Sequence, residues 1–302
     1  TFKNVTGVAG GSILGDGRVG LILDVRRSLA TQPASEMLSQ GEFDQITSLA
    51  YKSCGIDLKN GKQELVQARL GKKIRQGKFD SFKQYYEHVV ADTTGEALIA
   101  LLDALTTNFT SFLREATHFD LLRKTIVPGL KGQIRIWSAA CSTGEEPYTI
   151  AFSLLEELGM HAASRIHILA SDISSRALAA AERGAYAAER FKEVPKDWPS
   201  KYLLRGSDRW EGWYRVKPPI RRMIEFRRLN LMESFRPAHP FQVIFCRNVM
   251  IYFDKETQER LVNRFASCLE PGGYLLIGHS ESLTGLNHPY NYVKPAVYRR
   301  PL

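Results

Sequence analysis

The chain changes its hydrophobic period once, at Pro128-Gly129, and that change limits what it can fold into. Before it the spacing is helical. "EFDQITSLAYKSCGIDL" puts Phe43, Ile46, Leu49 and Ala50 on one face, and "KQELVQARLGKKIRQGKF" follows with Leu65, Leu70 and Ile74 apolar. "EALIALLDALTTNFTSFLRE" continues the helical reading. After it come short runs rich in Ile, Val, Leu and Phe: "QIRIWSA", "RIHILASD", "MIEFRRLNL", "FQVIFCRN" and "GYLLIGHS". Helical segments at 148–158, 175–183 and 255–269 separate most of them. Alternation of strand and helix predicts an α/β domain with a parallel sheet covered on both faces. "YLLRGSDRWEGWYRVK" interrupts the rhythm with aromatics and turn residues and reads as a small antiparallel insertion at about 202–217.

The first thirty residues stand apart. "SILGDGRVGLILDV" carries two apolar stretches around Asp16-Gly17, a hairpin signal, and "SLATQPASE" reads as a linker. The expected organisation is a hairpin-like extension and linker over 1–35, a helical domain over 36–125 and an α/β domain over 126–302. With 302 residues, 44% of them hydrophobic, such a chain can bury a full core. No apolar run approaches the roughly 18–20 residues of a membrane span. The four cysteines form no CxxC pair and no matched histidine spacing. Reduced thiols, a cytoplasmic setting and no metal are therefore expected. A net charge of +9 favours an acidic partner.

Within the α/β part, the loop after the first strand, "WSAACSTGEEPYTIA", sits where doubly wound sheets bind ligands. A phosphate cradle there would need several glycines and often a lysine. This loop has Gly144 alone, followed by Glu145 and Glu146, which repel pyrophosphate. A phosphate-free cofactor with a cationic end fits better, and S-adenosylmethionine is such a molecule. Glu145 reads equally as an acidic first helical turn favoured by the helix dipole. "HILASD" ends in Asp172, placed to accept from ribose hydroxyls or to cap the helix starting near Ser174. "FCRNVMIYF" puts Arg247, Asn248 and Tyr252 at the same rim, with Asn248 able to bond cofactor polar groups and Tyr252 to lie beside a transferred methyl.

Taken together, "NFTSFLRE", "AACSTGEEPY", "FCRNVMIYF" and "LEPGGYLLIGHSESL" resemble the CheR family, the chemotaxis receptor methyltransferases that methylate glutamates on chemoreceptors. The resemblance implies a helical N-terminal domain and a Rossmann-like S-adenosylmethionine-dependent domain with a small inserted β-subdomain. It also implies S-adenosylhomocysteine as product and the cytoplasmic helical bundle of a chemoreceptor as partner, without membrane insertion. Cofactor contacts then fall on Asn108, Thr110, Arg114, Glu145, Asp172, Asn230, Leu231, Arg247 and Asn248. Arg114 and Tyr252 would act at the methyl, Arg114 by holding one carboxylate oxygen of the substrate. Arg69, Lys72, Lys73 and Arg75 would face the receptor. The inserted segment offers a second receptor contact, although Gly206-Ser207-Asp208 departs from the Gly-x-Gly of members that grip a receptor's C-terminal peptide. "GVAGGSILGDGRVGLILDV" resembles the end of the CheW-like regulatory domain of the CheA histidine kinase.

Two other functions remain open on the residues alone. A nucleic-acid methyltransferase would suit the charge, but "FCRNVMIYF" has neither the Pro-Pro of base amino methylation nor a Pro-Cys nucleophile. A non-catalytic module that binds cofactor or receptor as a sensor is the other.

Overall fold

The computed structural model describes the backbone of residues 8–13 and 19–23 and residues 37–58, 61–106 and 109–302. Strand β1 (Val8–Ile13) pairs antiparallel with β2 (Val19–Leu23), with Ile13 opposite Val19. The Asp16-Gly17 turn and the linker fall outside the described residues, so the resemblance of this segment to the kinase domain rests on sequence.

The chain divides into two compact units, residues 1–46 with 61–97 and residues 47–60 with 98–302. In the first, Ser39 and Glu42 form a reciprocal capping box at the start of α1 (Gln40–Cys54): Glu42 N donates to Ser39 Oγ at 3.3 Å and Ser39 N to Glu42 Oε2 at 2.9 Å. Helices α2 (Gln63–Gly77) and α3 (Phe82–Ala91) lie in the same unit, while α1 from residue 47 onward belongs to the second. The buried face of α2 is Val66, Gln67, Leu70 and Ile74. Leu65, assigned to the apolar set from sequence, is exposed instead, because it lies about 100° around the helix from Val66.

Helix α4 (Glu96–Leu105) ends sooner than the helical reading of "TTNFTSFLRE". Residues 112–116 form turns, and Leu113 (φ 54°) and Glu115 (φ 57°) adopt left-handed backbone that no right-handed helix contains. Phe112 anchors the turn by stacking on Phe191 at 4.4 Å. Helix α5 (Thr117–Leu121) follows and leads through a π-turn over Leu122–Ile126.

The second unit is built on a seven-stranded sheet. Its parallel strands are β3 (Ile134–Ala139), β4 (Ile166–Asp172), β8 (Ile224–Arg228), β9 (Phe241–Cys246) and β10 (Leu269–Ile277). Two antiparallel strands, β11 (Asn291–Lys294) and β12 (Val297–Arg299), extend it in the order β11-β12-β10-β9-β3-β4-β8. Every residue of β9 is buried, as a strand with a neighbour on each side and helices above and below requires. Helices α6 (Glu145–Leu158), α7 (Ser175–Arg183) and α10 (Lys255–Cys268) carry the crossovers. The order reverses between β3 and β9, so the loops after these two strands diverge and leave a crevice at their carboxyl ends.

The antiparallel insertion is larger than its sequence signal. Strands β6 (Leu203–Arg205) and β7 (Trp213–Val216) lie in the 202–217 window, and β5 (Ala185–Ala187) joins them from upstream in the order β5-β7-β6. Short elements α8 (Trp198–Tyr202) and α9 (Pro218–Arg221) flank it, with Tyr202 stacked on Phe152 of α6 at 5.0 Å.

Candidate active site

A cleft of about 980 Å³, open solvent at its mouth included, lies in the second unit at the carboxyl ends of β3, β4, β8 and β9. Its wall takes Ala140–Ser142 after β3, Asp172 at the tip of β4, residues 229–231 after β8 and residues 247–249 after β9. The 109–114 segment and Tyr252 line it as well. Five of the eight non-glycine residues with positive φ among the described residues lie in these walls or beside them: Leu113, Glu115, Ala140, Ser142 and Asn248. Left-handed backbone persists where surrounding contacts over-determine it, and such strain gathers at functional sites.

The glycine of the opening loop has a steric reason. Gly144 has φ 97°, and a Cβ there would come within 2.7 Å of the Ala181 Cβ on α7. One glycine is thus required to let α6 begin against α7, and it makes no phosphate cradle.

The two glutamates that follow part company. Glu145 was expected at the cofactor, but it is absent from the cleft wall and only 1% exposed. Its carboxylate accepts from Arg190 and, at 2.7 Å, from Thr143 Oγ1. Arg190 also donates to the Thr110 carbonyl at 2.9 Å, so the pair ties α6 to the wall segment. The cation that Glu145 meets is the protein's own arginine. Glu146 is the residue that lines the cleft. It accepts from Ser138 Oγ at 2.7 Å and Arg247 Nη1 at 3.0 Å, and burial lifts its pKa against the lowering pull of that arginine.

Asp172 lines the cleft and holds its floor. Oδ2 accepts from Ser142 N at 2.8 Å and Oδ1 from Ser174 N at 2.9 Å. Ser174, not Asp172, caps α7, by accepting from Ala177 N at 3.1 Å. Burial raises the Asp172 pKa, partly countered by the backbone amides of Ser174, Ser142 and Ile173. An ionised carboxylate has about four acceptor sites, so acceptor capacity remains for a ligand.

Arg247 and Asn248 leave β9 into the wall. Arg247 is buried, its guanidinium 5.4 Å from the Phe119 ring centroid. It donates from Nε (3.3 Å) and Nη2 (3.0 Å) to Glu115 Oε2, from Nη1 to Glu146, and from Nη2 to the Arg114 carbonyl. Four of its five N–H donors are thereby taken by the protein. Asn248, at φ 59°, donates Nδ2 to Glu115 Oε1 at 3.3 Å. Its backbone N donates to Glu281 Oε2 at 2.9 Å, and Gly278 N joins the same oxygen at 2.6 Å. A Cβ at Gly278 would approach Asn248 Nδ2 to 2.5 Å. Burial raises the Glu281 pKa. Burial also pushes Glu115 up, but Arg247, the His279 amide and Asn248 together outweigh it and hold that carboxyl below its ordinary value.

The remaining candidates divide as follows. Thr110, Arg114, Asn230, Leu231 and Tyr252 all line the cleft, while Asn108 lies outside the described residues. Arg114 rests its guanidinium 5.6 Å from the Phe109 ring centroid and donates Nη1 to the Phe109 carbonyl at 2.7 Å. Asn230 is fixed by donating to the Ser53 carbonyl at 2.7 Å and accepting from Met232 N at 3.0 Å. Arg69, Lys72, Lys73 and Arg75 belong to α2 of the first unit, with Lys72 and Arg75 exposed. Sequence reasoning passed over Glu115, Glu146, Arg190 and Glu281 as parts of this site. Glu115, His118 and His279 come within 4.8 Å of one another, but Arg247 and Asn248 already occupy the Glu115 carboxylate. The guanidinium also brings there the positive charge a metal would bring. Burial first, then Arg247, drives the His118 pKa down to about 3, leaving it neutral.

Sequence comparison agrees with this geometry. The pattern of the CheR methyltransferase all-alpha domain matches residues 41–106, and that of the CheR methyltransferase SAM binding domain matches residues 108–298. The chemotaxis protein methyltransferase of Salmonella typhimurium is 38% identical over 288 residues, spanning 95% of this chain and 97% of the relative. That of Borreliella burgdorferi is 39% identical over 273 residues, 87% of this chain and 95% of the relative. Chemotaxis protein methyltransferase 2 of Pseudomonas aeruginosa is 40% identical over 260 residues, 85% of this chain and 92% of the relative. A helical N-terminal region, a mixed sheet with an inserted antiparallel sheet, a cleft at the switch point and these matches place the chain in the CheR family, the S-adenosylmethionine-dependent methyltransferases of chemotaxis.

Proposed function

We propose that this chain methylates glutamate side chains on the cytoplasmic helical bundle of a chemoreceptor. The observation that carries the reading is the charge pattern of the cleft. Asp172 and Glu146 face it from half-buried positions, and its cationic lining residues are Arg114 and Arg247. Arg247 is committed to protein acceptors. Such a donor set disfavours a pyrophosphate and fits a cofactor with neutral ribose hydroxyls and a cationic sulfonium, so the residues present suit S-adenosylmethionine. When bound, that group supplies an electrophilic methyl.

The chain's own residues then divide the work. Asp172 has acceptor capacity left for ribose hydroxyls, and Asn230 and Asn248 present polar groups held by their own hydrogen bonds. Arg114 stands at the cleft as a guanidinium backed by Phe109, suited to orient a carboxylate. Tyr252 flanks the same opening. A glutamate carboxylate is already ionised at neutral pH, so its attack on a methyl needs no general base. Orientation of one oxygen and exclusion of water around it are what the protein supplies. The basic residues Lys72 and Lys73 on α2 offer an acidic partner a complementary surface.

The test is transfer of an isotope-labelled methyl from S-adenosylmethionine to a receptor cytoplasmic fragment, with RNA as control. Base-labile label on glutamate is the expected product. Label on RNA, or none on receptor, would overturn the reading.

A further inference from the structure

The Arg114 turn has no regular secondary structure to hold it, yet it carries two left-handed residues, Leu113 and Glu115, on either side of Arg114. What fixes it comes from far along the chain. Arg247, at the end of β9, donates to the Arg114 carbonyl and to Glu115 Oε2. The other oxygen of Glu115 takes Asn248 Nδ2. One carboxylate therefore joins the backbone of Arg114, the guanidinium of Arg247 and the amide of Asn248.

We propose that Glu115 is a positioning residue for methyl transfer, acting through the placement of Arg114. The inference rests on the reading that Arg114 orients the substrate carboxylate. Without the Glu115 charge, Arg247 keeps one carboxylate partner, Glu146, which is itself held by Ser138. Its guanidinium then turns toward Glu146 and leaves the Arg114 carbonyl. The left-handed backbone at Glu115, which persists only under such contacts, relaxes, and Arg114 loses its register over the cleft. A glutamine at 115 keeps the shape but has no charge and one acceptor oxygen: it either turns an N–H toward the donors of Arg247, or gives its oxygen to Arg247 and forces the Asn248 amide to turn over.

A double-mutant cycle separates positioning from general support. Glu115→Gln, Arg114→Ala and the double variant are compared for kcat and KM with a receptor fragment, S-adenosylhomocysteine affinity by calorimetry, and thermal midpoint. Glu115→Gln is expected to lower kcat/KM about tenfold, the scale of one hydrogen bond to a charged group. In the Arg114→Ala background the same change is expected to matter by less than about twofold, because the two residues act as a unit. Equal fold-losses in both backgrounds, or full activity of Glu115→Gln, would overturn the proposal. If Arg114→Ala alone keeps full activity, the Arg114 reading falls and the coupling with it, an outcome distinct from additive losses. Should Glu115→Gln lower the midpoint markedly, Glu115→Asp, which keeps the charge but withdraws it by one methylene, takes its place in the cycle. A loss confined to the Arg114 background then supports positioning, and equal losses in both backgrounds overturn it.

Discussion

Asp172 gives the sharpest test of how the cleft binds its cofactor, because its two roles can be separated. Its oxygens accept from Ser142 N and Ser174 N, which shapes the loop after β3 and the start of α7. The acceptor sites left over face the cleft. In Asp172→Ala both sets vanish. Loss of hydrogen bonds from ribose hydroxyls to a charged acceptor is expected to weaken binding by about 1.5–3 kcal/mol, which is about 10- to 150-fold in Kd.

Stability moves less than the two lost backbone bonds would imply. Burial raises the folded pKa of Asp172 above the ordinary 3.8. A group shifted in this direction contributes stability below 3.8 and loses it as pH rises through the folded value. At neutral pH the ionised carboxylate thus carries a burial cost, and removing it offsets part of the loss. Binding has the opposite trend: ribose hydroxyls need the ionised acceptor, so wild-type affinity falls as acid approaches the raised pKa, and the alanine variant lacks that dependence. Calorimetry with S-adenosylhomocysteine across this range, alongside thermal midpoints, measures both. Unchanged affinity in a folded variant would refute the ribose role and leave Asp172 as a loop brace.

Arg114→Ala and Tyr252→Phe are expected to keep the thermal midpoint within a few degrees while methyl transfer falls, more severely for Arg114; full activity in either would remove that residue from the mechanism. Arg190→Ala should destabilise by about 2–3 kcal/mol, below the roughly 3–5 of a fully enclosed pair because Arg190 is partly exposed. Adding Glu145→Gln should restore most of it in chemical denaturation, and no rescue would show that the pair is not the cause. Reversing Lys72 and Lys73 to glutamate should raise KM for receptor, leave S-adenosylhomocysteine affinity alone and weaken the salt dependence of the rate; unaltered receptor kinetics would reduce the patch to a solvated face.

The sheet was legible because parallel strands buried on both faces are continuous apolar runs, and Asp172, Arg247 and Asn248 were legible because the topology places strand ends at the crevice. Adjacent residues on a helix defeat this kind of reading. Glu145 and Glu146 lie about 100° apart, and periodicity did not say which one turns to the cleft. The segment "NFTSFLRE" has helical spacing, yet Leu113 and Glu115 have left-handed φ values and are held by residues far along the chain, Leu113 N by Thr149 and the Glu115 carboxylate by Arg247. Glu115 and Arg247 are 132 residues apart, and Glu281 caps Asn248 from 33 residues downstream. No local pattern records such pairs. Strand β5 is three residues long, too short to leave a periodic trace.

These late-found carboxylates bear on selectivity. Glu115 and Glu146 share a single guanidinium, Arg247, and Glu281 accepts from the backbone of the neighbouring Asn248. Asp172 stands on the tip of β4 with backbone amides as its partners at Ser142 and Ser174. Burial raises Glu146, Asp172 and Glu281 together, which means that each would gain from more positive charge nearby. On the proposed function, cationic S-adenosylmethionine would meet that demand, and the product, without the sulfonium charge, would not. On that reading, the carboxylates of Glu146 and Asp172 that line the cleft would thereby favour the charged cofactor over its neutral-sulfur product. Fixed dipoles and charges would do this without reorganising at the moment of binding, because Arg247 and the backbone amides already hold them in place. Keeping these partly buried carboxylates ionised would cost stability, which the fold would give up for that discrimination.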